Sequence, residues 1–373
     1  MTERNRLVGV IEGFYGRSWS WSARHEYASF IADNNLSVYI YAPKSDIKLR
    51  HCWAEPWTDE ELSALQLLAQ AFEAKGLAFG IGLSPMGLAE LDTGSQAAFN
   101  AYRQLDEKLA QIQSLSADLL CILFDDMPSL GDDMARQQLR IVDYVIGKAV
   151  ADRYIICPSY YSTDPVLDKL FGHRPKAYWR ELGQALPAEI DYFWTGEQVC
   201  SQDYSDDNLH FIADQLARLP VIWDNYPVND GAKLSRFLHL QPFKGRSSLI
   251  NMSAGHLANP MNQPYLSQLP LASLARLYPW LGDADDIGSA SHGHEKAAEL
   301  PWREDAERLL GSALAKSVLK DAAIFSAQGL DGLSEADKQA SINHYAGFNS
   351  VYANELVEWL TEQYVFDPAC LTG

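Results

Sequence analysis

The sequence predicts an α/β protein: a closed (β/α)8 TIM barrel followed by a small C-terminal helical region. Three observations support this. Short apolar runs rich in β-branched and aromatic residues alternate with longer stretches of helical period. Eight such runs can be counted, which favours a closed barrel over an open sheet. Polar and aromatic residues gather directly after the runs, where barrel enzymes build their sites.

The runs read as strands cover residues 7–14, 37–41, 77–83, 118–124, 153–157, 190–194, 221–225 and 248–252. Between them, residues 60–74, 97–114, 135–150 and 205–219 repeat apolar side chains at three and four spacing and are predicted helices. The first strand runs into Glu12, Tyr15 and Arg17, and the second into Lys44 and Asp46. The fourth runs into Asp125 and Asp126, and the seventh into Asn225 and Asp230. After Leu281 a stretch of small, acidic and histidine residues reads as a linker. The expected division is therefore a barrel over 1–282, a linker over 283–303 and helices over 304–373. Within the last part, Ser334 with Asp337 three residues on resembles a capping box.

Length and composition bound the rest. A chain of 373 residues can hold one barrel with about ninety residues to spare. A net charge of -19 repels a phosphate backbone and disfavours nucleic acid as a partner. It also tilts against strongly anionic polysaccharides such as hyaluronan. Five cysteines without CxxC or Cys/His spacing support neither a disulfide framework nor a zinc site, and Cys121 reads as a buried apolar residue. No apolar stretch of signal-peptide or membrane-spanning length occurs, so a cytoplasmic protein with no membrane partner is expected.

The run CILFDDMPS sets two carboxylates where an apolar strand gives way to a loop. Retaining glycosidases usually draw nucleophile and acid from positions well apart in sequence. Adjacent carboxylates suit a substrate-assisted route better, with a 2-acetamido oxygen as nucleophile, one orienting carboxylate and one proton donor. Two acids so close should also ionise unequally. On its own, however, such a pair more often caps a helix or shapes a turn.

Seven segments shift that balance: VIEGFYGRSW, YAPKSD, LFDDM, CPSYY, WTGEQV, VIWDNYPVND and LANPMNQP, in this order. Together they resemble glycoside hydrolase family 84, the O-GlcNAcases and related bacterial β-N-acetylglucosaminidases. The resemblance covers the whole expected barrel and does not extend into the C-terminal helices. It implies a retaining hydrolase of terminal β-linked N-acetylglucosamine, free of cofactor and metal, acting through an oxazoline on glycoproteins or small glycosides. Asp125 then matches the residue that orients the acetamido N–H, and Asp126 the general acid and later base. Asn225 matches a contact to the acetamido group or glycosidic region. Asp230 matches the carboxylate on the 4- and 6-hydroxyls, and Tyr161 the donor to the attacking acetamide oxygen. Gly13, Lys44 and Asn259 match further sugar-hydroxyl contacts, with Tyr15 and Trp223 as pocket walls.

Without the resemblance, Tyr15 and Trp223 fit equally as core aromatics, Lys44 as a solvated rim charge and Asn225 as a turn residue beside Pro227. Ser45, Ala54 and Met86 depart from the family pattern, at positions expected along the approach to the cleft. A hydrolase of chitin or hyaluronan fragments on the same barrel is one alternative. A non-catalytic sugar-binding barrel is another, against which Asp126 speaks. An open-sheet oxidoreductase is disfavoured because no GxGxxG follows the first strand.

Overall fold

A computed structural model describes residues 6–278, 294–364 and 366–372. Among these, eight parallel strands close into one barrel in sequential order. They are β1 (Leu7–Glu12), β2 (Val38–Tyr41), β3 (Ala78–Leu83), β4 (Leu119–Leu123), β5 (Arg153–Cys157), β6 (Asp191–Trp194), β7 (Val221–Asp224) and β8 (Gly255–Ala258). Both faces of each strand are covered, so the strands are apolar runs rather than alternating ones. Closure is made by β8, which pairs Gly255 with Leu7 and Ala258 with both Val10 and Asp224.

Helices surround the barrel. The first group is α1 (Trp21–Asp33), α2 (Asp59–Glu73), α3 (Gln96–Gln113) and α4 (Met134–Ile146). Then come α5 (Pro165–Phe171), α6 (Tyr178–Ala185), α7 (Asp206–Leu216), the short α8 (Leu249–Met252) and α9 (Pro264–Leu271). Side-chain caps fix where several begin. Thr58 and Glu61 form a reciprocal capping box at α2, and Ser95 and Ser205 accept the N3 amides of α3 and α7.

Seven predicted strands coincide with observed ones to within a residue or two at most ends. The eighth does not. Residues 248–252 hold the helical turn α8, of which only Leu249 is fully buried, and the strand lies further on at Gly255–Ala258. A four-residue strand carrying a glycine and a histidine gives almost no hydrophobic signal. His256 is nevertheless fully buried, bonded to Asp224 and to the Tyr278 hydroxyl.

The C-terminal region is helical, comprising α10 (His294–Leu310), α11 (Ser312–Ala327), α12 (Glu335–Tyr345) and α13 (Val351–Leu360). Most of the expected linker, 283–293, lies outside the described residues, and α10 already occupies its end from His294. Ser334 caps α12 by accepting the Asp337 amide. The helices share an apolar core with the barrel rim, where Leu238, Leu240, Met261, Leu266 and Leu269 pack with Leu314, Phe325, Leu356 and Trp359. No helix among the described residues is long and apolar enough to cross a membrane.

Candidate active site

At the carboxyl rim of the strands lies a pocket of about 490 Å³, counting its open mouth. All ten singled-out residues line it: Gly13 and Tyr15 after β1, Lys44 after β2, Asp125 and Asp126 after β4, and Tyr161 after β5, with Trp223, Asn225, Asp230 and Asn259 from β7, β8 and their loops.

The two aspartates share this pocket because of the backbone. In an extended chain, neighbouring side chains point to opposite faces. Here β4 ends at Leu123 and Asp126 takes a left-handed φ of 57°, a conformation that aspartate tolerates better than most residues. With this turn both residues line the same pocket.

Their surroundings differ. Asp125, 6% exposed, pairs with the Lys44 ammonium, and Arg50 Nη1 stands 3.6 Å from the same carboxylate oxygen. Burial pushes the Asp125 carboxyl up, but Lys44 and Arg50 outweigh burial and hold it below the usual range. Its other oxygen, Oδ1, is buried with no hydrogen-bond partner among the described residues. Asp126 instead accepts from two phenols, Tyr15 at 2.7 Å and Tyr161 at 2.8 Å. Burial, and then Asp126 itself, raises the pKa of both tyrosines, which therefore stay neutral donors.

Trp223 and Asn225 face the pocket, while Asp224 between them is fully buried against Arg246 and His256, as strand alternation requires. Asn225 is locked in place: its oxygen accepts from Trp223 Nε1 (3.1 Å) and Asn259 Nδ2 (2.9 Å), and its amide donates to the Val199 carbonyl (2.8 Å). Asn259 in turn accepts the Gly13 amide at 3.2 Å. Gly13 has to be glycine here, because a Cβ would lie 2.2 Å from the Trp223 ring.

Asp230 is buried and accepts the Tyr15 backbone amide at 2.7 Å. Burial raises its pKa to about 6, against the pull of that amide. The Cys370 thiol donates to its other oxygen at 3.8 Å.

Lys44 pairs with Asp125, and the Tyr161 hydroxyl donates to Asp126. Of the other polar residues read at the strand ends, Glu12 is buried in a pair with Arg24 and a hydrogen bond from Tyr39. Arg17 pairs with Glu358, and Asp46 caps a short 3-10 turn, Ile47–Leu49. None of these three lines the pocket, and neither do Ser45, Ala54 or Met86.

Sequence reasoning missed Arg50, Cys157, Thr195, Val199, Cys200, Val228, Cys370 and Thr372. Cys157 ends β5 and Thr195 follows β6, so the strand-end rule could have found them. Nothing local marks Arg50, and nothing in the chain's order brings Cys370 to Asp230.

Known proteins resemble this chain in sequence and in fold. A family model described as beta-N-acetylglucosaminidase matches residues 8–309. The Protein O-GlcNAcases of Rattus norvegicus and Mus musculus are each 29% identical over 290 residues, 74% of this chain. The chain spans only 30% of the length of those relatives. A mutant Thermobaculum terrenum O-GlcNAc hydrolase superposes with a TM-score of 0.73 at 29% identity, covering 96% of this chain and 81% of that one. The chain belongs to the β-N-acetylglucosaminidase family of glycoside hydrolases, family 84, with the O-GlcNAcases among its relatives.

Proposed function

We propose that the pocket removes terminal β-linked N-acetylglucosamine from Ser or Thr of glycoproteins, or from small glycosides, with retention and through an oxazoline. The observation that carries this is the unequal setting of two adjacent carboxylates. Two cations face Asp125 and suit only an anion. Hydroxyls contact Asp126, and a hydroxyl can donate or accept, so either protonation state is accommodated.

In the first step the acetamide oxygen attacks the anomeric carbon as the glycosidic bond breaks. Asp126 gives its proton to the leaving oxygen, and Asp125 accepts the acetamido N–H, for which its unpartnered Oδ1 is suited. In the second, water attacks the same carbon, surrenders a proton to Asp126, and the acetamide reforms. Asn225 contacts the acetamido or glycosidic region, and Asp230 accepts from the 4- and 6-hydroxyls. Gly13, Lys44, Asn259 and Tyr161 complete the polar wall, while Tyr15 and Trp223 face the sugar's C–H surfaces.

The test compares an aryl N-acetyl-β-glucosaminide with the aryl β-glucoside that lacks the acetamido group. Substrate assistance requires turnover of the first alone. Comparable rates on both would point to a nucleophile supplied by the protein.

A further inference from the structure

Arg50 follows the 3-10 turn after β2 and is 4% exposed, yet its Nε and Nη1 have no hydrogen-bond partner among the described residues. Burying a guanidinium with unmet N–H groups carries a desolvation penalty for each, and an apolar side chain of that shape would pack without it. The cost is offset by something that needs the charge. Its Nη1 stands 3.6 Å from Asp125 Oδ2, and the guanidinium lies 5.7 Å from the centre of the Tyr15 ring, whose hydroxyl donates to Asp126. One cation therefore stands behind both halves of the pair without entering the pocket.

We propose that Arg50 is a positioning residue that keeps Asp125 ionised and aimed, acting with Lys44 on the same carboxylate oxygen. This rests on the functional reading above. Among the described residues, the titratable groups facing Asp125 are Lys44, Arg50, Tyr15, Asp126, Tyr161 and Cys157, of which the first two carry positive charge. Burial works against the Arg50 cation, but Asp125, ahead of Tyr15 and Asp126, more than compensates.

The test uses the full chain with Arg50→Gln and Arg50→Lys. With Gln, the acid limb of the kcat–pH profile moves up by about one pH unit and kcat falls about ten-fold, whereas Lys returns the limb toward wild type. A Gln variant that loses stability or rate with the limb unmoved, or a Lys variant no better than Gln, overturns the proposal. The carbon-13 titration of the Asp125 carboxyl, assigned with Asp125→Asn, gives the same comparison without turnover. An unshifted midpoint there rejects the role of Arg50, while an inactive wild type counts against the proposed reaction instead.

A separate observation concerns residues 366–372. Cys370 and Thr372 line the pocket, and the Cys370 thiol reaches Asp230, although Phe366 is 42% and Leu371 57% exposed. The segment touches the site while its large apolar side chains lie open to solvent. We infer that this segment is a displaceable plug that competes with ligands for Asp230. Competition of this kind raises apparent KM and leaves kcat alone. Cys370→Ala, which removes the thiol's hydrogen bond to Asp230, should lower KM for the aryl N-acetyl-β-glucosaminide several-fold at constant kcat. In the wild type, saturating N-acetylglucosamine should speed alkylation of Cys370 several-fold, because a displaced segment exposes the thiol. An unchanged KM, or alkylation that N-acetylglucosamine does not speed, overturns the plug. If the wild type shows no turnover, the alkylation rates alone decide.

Discussion

The Tyr15 hydroxyl donates to Asp126 Oδ2 at 2.7 Å while the backbone amide of the same residue donates to Asp230. One residue thus spans the distance between the proposed proton donor and the proposed hydroxyl anchor. Asn262 fixes it in turn, with its amide on the Tyr15 carbonyl and its oxygen on the Arg17 amide.

Tyr15→Phe removes only the hydroxyl. A hydrogen bond to a charged group contributes about 1.5–3 kcal/mol, so kcat/KM should fall roughly ten- to a hundred-fold. Thermal stability should change little, because the buried ring and the amide bond to Asp230 remain. Steady-state kinetics beside a melting curve decides it. A variant that melts early yet keeps full activity would assign Tyr15 to packing alone.

Asp126→Asn keeps the shape and removes the transferable proton. Turnover should drop sharply for glycosides with poor leaving groups and far less for activated aryl glycosides, since only the former need protonation. Rates on a series of leaving groups read this directly. Equal losses across the series would assign the acid role to another group.

Asp230 has its carboxyl raised to about 6 by burial, which outweighs the Tyr15 amide. The ionised form accepts sugar hydroxyls, so affinity is full above that value and lost as pH falls through it. Calorimetric titration with N-acetylglucosamine between pH 5 and pH 8 should show binding weakening about ten-fold per unit below the midpoint. Asp230→Asn should bind weakly at every pH with a flat profile. A sloping profile in that variant would move the titration to a different group.

Glu355 concerns stability rather than chemistry. It accepts the Tyr265 and Leu266 amides at the start of α9, but burial dominates and raises its carboxyl from 4.5 to about 8. The folded chain holds this proton when the unfolded chain has lost it. The contribution is therefore fully present below about 4.5 and is lost as pH rises through about 8. Relative to wild type, Glu355→Gln should gain Tm steadily across that window. A difference in Tm independent of pH would show that Glu355 does not hold the proton.

Much of this was readable in advance. Strands and helices carry periodic signals that depend only on near neighbours, so the runs ending at Leu83, Cys157 and Trp194 could be placed from their residues. The barrel rule, that loops after strands build the site, then put Asp125, Asp126, Asn225 and Asp230 on one rim. The strand at Gly255–Ala258 escaped because its core histidine is stabilised by Asp224 and Tyr278, partners far away in sequence.

What the sequence by itself determined is the order of strands and the residue types at their ends, since both follow from local composition. Only the tertiary structure decided which charges meet. Arg50 stands behind Asp125 from 75 positions earlier in the chain, and Cys370 reaches Asp230 across 140. The charge state of a carboxyl depends on burial and on neighbours within a few ångströms. Closing the barrel sets those distances, and chain order does not.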